Sequence, residues 1–192
     1  MSGDIQVRAR RLGFDSLTPI RWLKVANIRL EASTSSRFLG KPNLPNGIVK
    51  NDLETILFLR KPGGYRKPTA EQERLSFLPT DEYSRLFSPI WSDVTGQQRG
   101  GHPAPYPLEI PRRLIRMFSF AGDTVLDPFA GTGTTTVAAI ETGRNSIAVE
   151  LEPSYVSLIE SRLRQSSFGA TIDVQRSTVK VEAAKPKKKS AA

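Results

Sequence analysis

Two acidic residues and two glycines stand together in "VLDPFAGTGTTTVAAIETGRNSIAVE", residues 125–150. Asp127 closes one short apolar run, and Glu150, 23 residues later, closes the next. Gly131 and Gly133 lie in the turn after the first run. In an open α/β fold a ligand sits at the carboxyl ends of the strands, so both carboxylates are expected to face one crevice. The glycines let the backbone bend tightly and approach a ligand closely. Three ligands compete for such a turn. A phosphate-binding P-loop needs Lys and then Ser or Thr after the glycines, but Gly133 is followed by Thr134 and Thr135. A dinucleotide fingerprint needs a third Gly or Ala where this chain has Thr136, and Asp127 would repel a pyrophosphate. S-adenosylmethionine fits better: it has a cationic sulfur, an ammonium group and no phosphate, and Glu150 can accept hydrogen bonds from its ribose hydroxyls. The plainer alternative is a turn that needs glycine only to pack, and the strand-end Glu weighs against it.

The elements that must position these residues follow from pattern. "TVLD" (124–127) reads as a buried strand, 134–142 as a helix stopped by Gly143, and "SIAVE" (146–150) as a second strand. Pro153 suits the first turn of a further helix on which Tyr155, Ile159 and Leu163 share a face. Strand, turn, helix, strand at these lengths predicts a parallel βαβ unit. "ATIDVQ" (170–175) is a candidate third strand. Upstream, "TPIRWLKVANIRL" (18–30) reads as a strand, 31–47 as loop, and 55–59 as a strand before a Pro-Gly-Gly turn. Residues 65–101 read as irregular, with a short helix near 81–87. A helix after Pro107 carries Ile110 and Leu114 on its apolar side and is expected to keep a basic outer face.

Composition narrows the class. The 192 residues carry a net charge of +9, of which the stretch 176–192 supplies +5. A basic balance suits a polyanionic partner. There is no cysteine and one histidine, so no disulfide, thiolate site or protein-only zinc site is expected. No apolar run approaches the roughly 20 residues of a membrane span, and the start lacks a signal-peptide core, which fits a cytoplasmic protein. Residues 179–192, "VKVEAAKPKKKSAA" from its first valine, read as a basic disordered tail.

"DPFAGTGTT" resembles the cofactor motif of the DNA amino-methyltransferases, which methylate the exocyclic amine of adenine (N6) or cytosine (N4). "HPAPYPLEIPRRLI" (102–115) resembles that family's other cofactor segment, and "NGIVKNDLETILFLRKPGGYRKP" (46–68) and "LTPIRWLKVAN" resemble the segments upstream of it. The order, with the glycine motif last, is that of the β class. The resemblance implies an α/β, Rossmann-like S-adenosylmethionine-dependent methyltransferase fold, mostly parallel with an antiparallel hairpin. It implies a partial methyltransferase domain over 1–178, with the cofactor-binding unit at 102–165. Asp127, Phe129, Gly131 and Gly133 would wall the methionine part of S-adenosyl-L-methionine, Glu150 would hold the ribose, and His102, Pro103, Ala104 and Tyr106 would approach from the other side. The implied partner is double-stranded DNA, in a restriction-modification setting, with no membrane and no metal.

The family's [D/S]-P-P-[Y/F/W] loop, which holds the target amine, is absent from this sequence. The nearest tetrapeptide is "SPIW", Ser88 to Trp91, where Trp91 reads as a packing residue. No catalytic residue is therefore assigned, and a second chain carrying that loop is the expected partner. The sequence reads as part of a split enzyme, a truncated product or a remnant, with a non-catalytic cofactor- and DNA-binding subunit as the alternative. The tail yields a first prediction. It has no aromatic residue to stack on bases, so it can supply only non-specific affinity. Deleting 180–192 should flatten the salt dependence of DNA binding in a titration and leave any sequence preference unchanged.

Overall fold

The computed structural model describes residues 2–24, 53–96, 106–165, 169 and 171–175. The first element, α1 (Ser2–Arg11), lies where no element was expected. Its charges explain it: Asp4 sits in the first turn and Arg8, Arg10 and Arg11 in the last, complementing the helix dipole. Arg8 also reaches back one turn to Asp4 at 3.0 Å. The apolar residues Ile5 and Val7 stay substantially exposed, so hydropathy periodicity gave no signal.

Three small sheets follow. β1 (Asp15–Ser16) pairs antiparallel with β4 (Leu59–Arg60). β2 (Ile20–Leu23) is central to the second sheet, antiparallel to β3 (Leu53–Ile56) and parallel to β5 (Ile90–Trp91). The third is the parallel pair β6 (Thr124–Asp127) and β7 (Asn145–Ala148), in register from Thr124 against Asn145 to Asp127 against Ala148. The expected α/β class, with parallel strands and an antiparallel pair, is what the chain adopts. Among the described residues, parallel and antiparallel pairings are equal in number.

Several sequence expectations shift. The run 55–59 is not one strand: it breaks at residues 57–58, between β3 and β4. The stretch expected to be irregular holds α2 (Ala70–Leu75), started by a capping box in which Thr69 and Gln72 exchange hydrogen bonds. α3 (Thr80–Leu86) is the short helix expected nearby. Residues 171–175 form no strand, which corrects that expectation; the half-buried Ile172 instead packs on the Ile159 cluster. Tail residues 179–192 and Asn51 and Asp52 lie outside the described residues.

The main core joins Ile20, Trp22, Trp91, Val94 and Ile110. Strand alternation produces it: Ile20 and Trp22 point inward while Arg21 points out. Both indoles satisfy their N–H groups, Trp22 on the Val94 carbonyl at 2.8 Å and Trp91 on the Leu86 carbonyl at 3.0 Å. α4 (Glu109–Phe118) brings Ile110 to this core and Ile115 to a second one, against Ala138 and Ala139.

The basic outer face expected of α4 is not what forms. Arg113 is only 3% exposed. It donates two parallel bonds to the Asp93 carboxylate at 2.8 and 2.7 Å and one to Glu109 at 2.9 Å, and it lies over the Trp91 ring. Arg112 bonds Glu109 and Glu141, and Arg116 bonds Glu82. Periodicity marks these positions as polar but cannot say that acidic partners from other elements will meet them.

Arg113 sets a stability prediction. Its hydrogen bonds hold Asp93 below the usual carboxylate range. Burial pushes Glu109 up, but bonds from Arg113 and Arg112 outweigh it, leaving Glu109 low as well. Both groups therefore stabilise the fold above the ordinary carboxylate range, around pH 4, and that contribution is lost as pH falls through their lowered values. Thermal melts should show Tm dropping below roughly pH 4, with a smaller drop in Asp93→Asn. Arg113→Ala should cost about 2–3 kcal/mol at neutral pH, below the ~3–5 kcal/mol of a fully buried pair because the Asp93 carboxylate is partly hydrated.

Candidate functional site

The turn after β6 is built by three constraints. The first is backbone shape: Gly131 and Gly133 have φ of 53° and 80°, in the left-handed region. The second is packing from beneath by α6 (Pro153–Gln165). A Cβ on Gly133 would stand 2.9 Å from Ile159 Cγ1, so this glycine is needed for closeness as well as for φ. The third is a hydrogen bond from α6: Arg162 Nη1 donates to the Thr132 carbonyl at 2.6 Å. α5 (Thr134–Glu141) then leaves the turn, and Ala138 and Ala139 let α4 approach closely.

The two carboxylates arrive differently from expectation. Asp127 ends β6, and its Oδ1 accepts the Phe129 N–H at 3.0 Å, which shapes the turn. Glu150 lies two residues beyond β7 rather than at its end. Its Oε2 accepts the Gly131 N–H at 2.7 Å, and its Oε1 accepts the N–H groups of Leu151 and Glu152, each at 2.9 Å. Glu150 thus ties the glycine turn to the end of the neighbouring strand. Bonds from ribose hydroxyls would compete with these backbone donors for the same oxygens. Phe129 stands in solvent at the turn, 89% exposed.

Tyr106 is brought to the same place. Its ring packs on the Trp22–Trp91 core, and its hydroxyl lies 2.7 Å from Thr135 Oγ1 in the first turn of α5. Burial raises its pKa, the Thr135 bond opposes that, and the nearby Asp127 charge raises it further, so the phenol stays neutral. His102, Pro103 and Ala104 lie outside the described residues. Thr135 and Arg162 are neighbours of the turn that pattern reading missed. Thr135 lay within the quoted motif; Arg162 carried the faint signal of standing one turn after Ile159.

Trp91 is 1% exposed, so the Ser88–Trp91 tetrapeptide offers no ring for a base to stack on. Among the described residues no group of acidic or histidine side chains could hold a metal, and no helix is long and apolar enough to cross a membrane.

A family model described as DNA methylase matches residues 8–161. The type II methyltransferase M.MjaI of Methanocaldococcus jannaschii is 43% identical over 176 residues, covering 86% of this chain and 55% of that protein. M.MthZI of Methanothermobacter thermautotrophicus is 41% identical over 165 residues, covering 80% of this chain and 45% of that protein. The chain thus spans about half the length of the curated relatives it matches. Among solved structures, a Thermus thermophilus protein described as a DNA modification methylase and complexed with S-adenosyl-L-methionine superposes with a TM-score of 0.74. It is 45% identical, and the match covers 91% of this chain and 64% of that one.

Gly133 and Gly122 give an internal comparison. Both have φ near +80°, but a Cβ on Gly122 would meet nothing within 4 Å. Gly122→Ala should cost about 1–2 kcal/mol from backbone strain alone. Gly133→Ala should cost about 1–3 kcal/mol more, because Ile159 must move. Equal losses in urea unfolding would show that Ile159 does not press on the turn.

Proposed function

The chain belongs to the family of DNA methylases that act on N6 and N4 amines, and from that membership we propose that its glycine turn binds S-adenosyl-L-methionine for methylation of adenine N6 or cytosine N4 in double-stranded DNA. The observation that carries the reading is the turn itself: two left-handed glycines flanked by Asp127 and Glu150, with Glu150 bonded across to Gly131.

The donor set suits this cofactor. Carboxylates favour a cationic ligand, and the turn lacks the Lys that a phosphate site would place after its glycines. Gly131 and Gly133 would let the backbone approach the methionine part, Phe129 would cover it with an apolar ring, and Glu150 would take the ribose. Tyr106, with His102, Pro103 and Ala104 by resemblance, would close the other side, making 102–165 the cofactor unit. When bound, S-adenosylmethionine supplies a methyl group on a cationic sulfur. The residues of this chain then hold and orient; positioning of this kind supplies much of the rate in a direct transfer.

The group that holds the amine is not among them. No D-P-P-Y-type tetrapeptide occurs in the sequence, and the nearest one buries its aromatic residue. The proposed activity therefore needs a further polypeptide segment that receives a base turned out of the duplex. The same observation favours a second reading, a cofactor- and DNA-binding subunit with no chemistry of its own.

Calorimetry tests the cofactor site. Glu150→Ala and Gly131→Val should each weaken S-adenosylmethionine binding, the former by roughly 1.5–3 kcal/mol for lost bonds to a charged acceptor. Circular dichroism should confirm that each variant stays folded. Unchanged affinity in both would remove the turn as the cofactor site. A labelled-methyl assay separates the two functional readings: the chain alone should transfer nothing to DNA, and transfer should appear when a segment with the amine-holding loop is added.

A further inference from the structure

The β6–β7 sheet has two faces, and the helices that follow the glycine turn serve only one. Val125 packs against Ile115, Ala138 and Ala139, on the side of α4 and α5. Ser146, its register partner, bonds Thr136 of α5 on that side. Side chains alternate along a strand, so Leu126 and its partner Ile147 point the other way. They are 61% and 55% exposed. Val149, Leu151 and Phe129 extend the exposed apolar surface past the strand ends. Parallel strands occur almost only where both faces are covered.

The edge of β6 is open too. Asn145 N–H donates to the Asp123 carbonyl at 2.8 Å, and Val149 N–H donates to the Asp127 carbonyl at 2.9 Å. In a parallel ladder a residue's N–H and C=O point to the same side. Asp123, Val125 and Asp127 therefore face β7, while Thr124 and Leu126 direct their main-chain groups to the opposite edge, where they meet no other described residue. Natural edge strands are protected by lysine, proline or a bulge. "TVLD" carries no lysine or proline, and its register with β7 is continuous. An edge without these devices is suited to being paired.

Resting on the reading above that a further segment completes the enzyme, we propose that this segment docks here. It adds a strand to the open edge of β6, bonding Thr124 and Leu126, and lays an apolar helix over Leu126 and Ile147. The occupant is the strand-and-helix part of the methylase fold carried by relatives outside the matched stretch, which is nearly half of the Methanocaldococcus jannaschii relative. Its length is sufficient, and docking at β6 sets it beside Asp127 and the glycine turn. The same contact serves whether that segment is joined to this chain or separate.

The test mixes the full chain with the unmatched portion of that relative, expressed as its own polypeptide. Sedimentation should show a one-to-one complex, and hydrogen exchange at the Thr124 and Leu126 amides should slow by about tenfold or more on mixing. Leu126→Asp and Ile147→Asp should weaken the complex by about tenfold or more, the loss expected when a buried large apolar side chain is replaced by a charge. Their cofactor affinity should match the parent chain, since neither residue belongs to the turn. Thr124→Pro removes one edge donor without touching the β7 ladder and should also weaken the complex, which covers the case of an aspartate variant that fails to fold. Absence of a complex, self-association of this chain through the same face, or protection confined to other strands each overturns the proposal. A complex that forms as described but transfers no methyl group would leave the docking intact and reject the functional reading instead.

Discussion

The hydrogen bond from Gly131 N–H to the Glu150 carboxylate, at 2.7 Å, is the contact on which the site depends. A strand-end turn of small residues has no side chains with which to hold itself. Here a charged acceptor from the adjacent strand captures one of its amides, and charge-assisted bonds of this type are roughly twice as strong as neutral ones. The remaining constraints act around that bond. Ile159 fills the space that a Cβ on Gly133 would need, Arg162 holds the Thr132 carbonyl, and Asp127 takes the Phe129 amide. The left-handed glycines are thus fixed from the strand side and the helix side, and α5 starts in one direction only.

That direction ties the turn to the rest of the molecule. α5 presents Ala138 and Ala139 to Ile115 of α4, and α4 presents Ile110 to the core around Trp22 and Trp91. Tyr106 spans the same distance by another route, its ring in the tryptophan core and its hydroxyl on Thr135. Arg144 closes the far end of β6: its buried guanidinium donates to the Ser119 carbonyl at 2.7 Å and also bonds the Thr142 carbonyl. The site residues therefore rest on small, closely packed contacts, and substitutions well away from Asp127 can displace it.

What the sequence revealed follows from what sequence patterns encode. Asp127, the two glycines and Glu150 were legible because a strand-end turn restricts residue type at each position. The helix after Pro153 was legible because Ile159 and Leu163 keep helical spacing, and both are buried as expected. α1 was not, because charge placement rather than an apolar stripe supports it. Glu150 was expected at the end of β7 but lies beyond it, because the ladder closes at Ala148 and the loop amides then turn back to the carboxylate. Long-range partners were the least legible. Nothing near Arg113 in the sequence announces Asp93, and nothing near Thr132 announces Arg162.

The arginines show why net charge is a poor guide to where a polyanion would lie. A charge of +9 invites the picture of a basic surface. Yet Arg112, Arg113 and Arg116 are drawn onto carboxylates, and Arg144 and Arg162 onto backbone carbonyls. A guanidinium with several donors in a fixed plane is well suited to such internal bridging, because it satisfies two or three acceptors at once. In this fold arginine acts first as an internal fastener between α4, the loops beside it and the glycine turn. Any electrostatic footprint for DNA has to be drawn from the basic side chains left over, and composition alone does not distinguish the two sets.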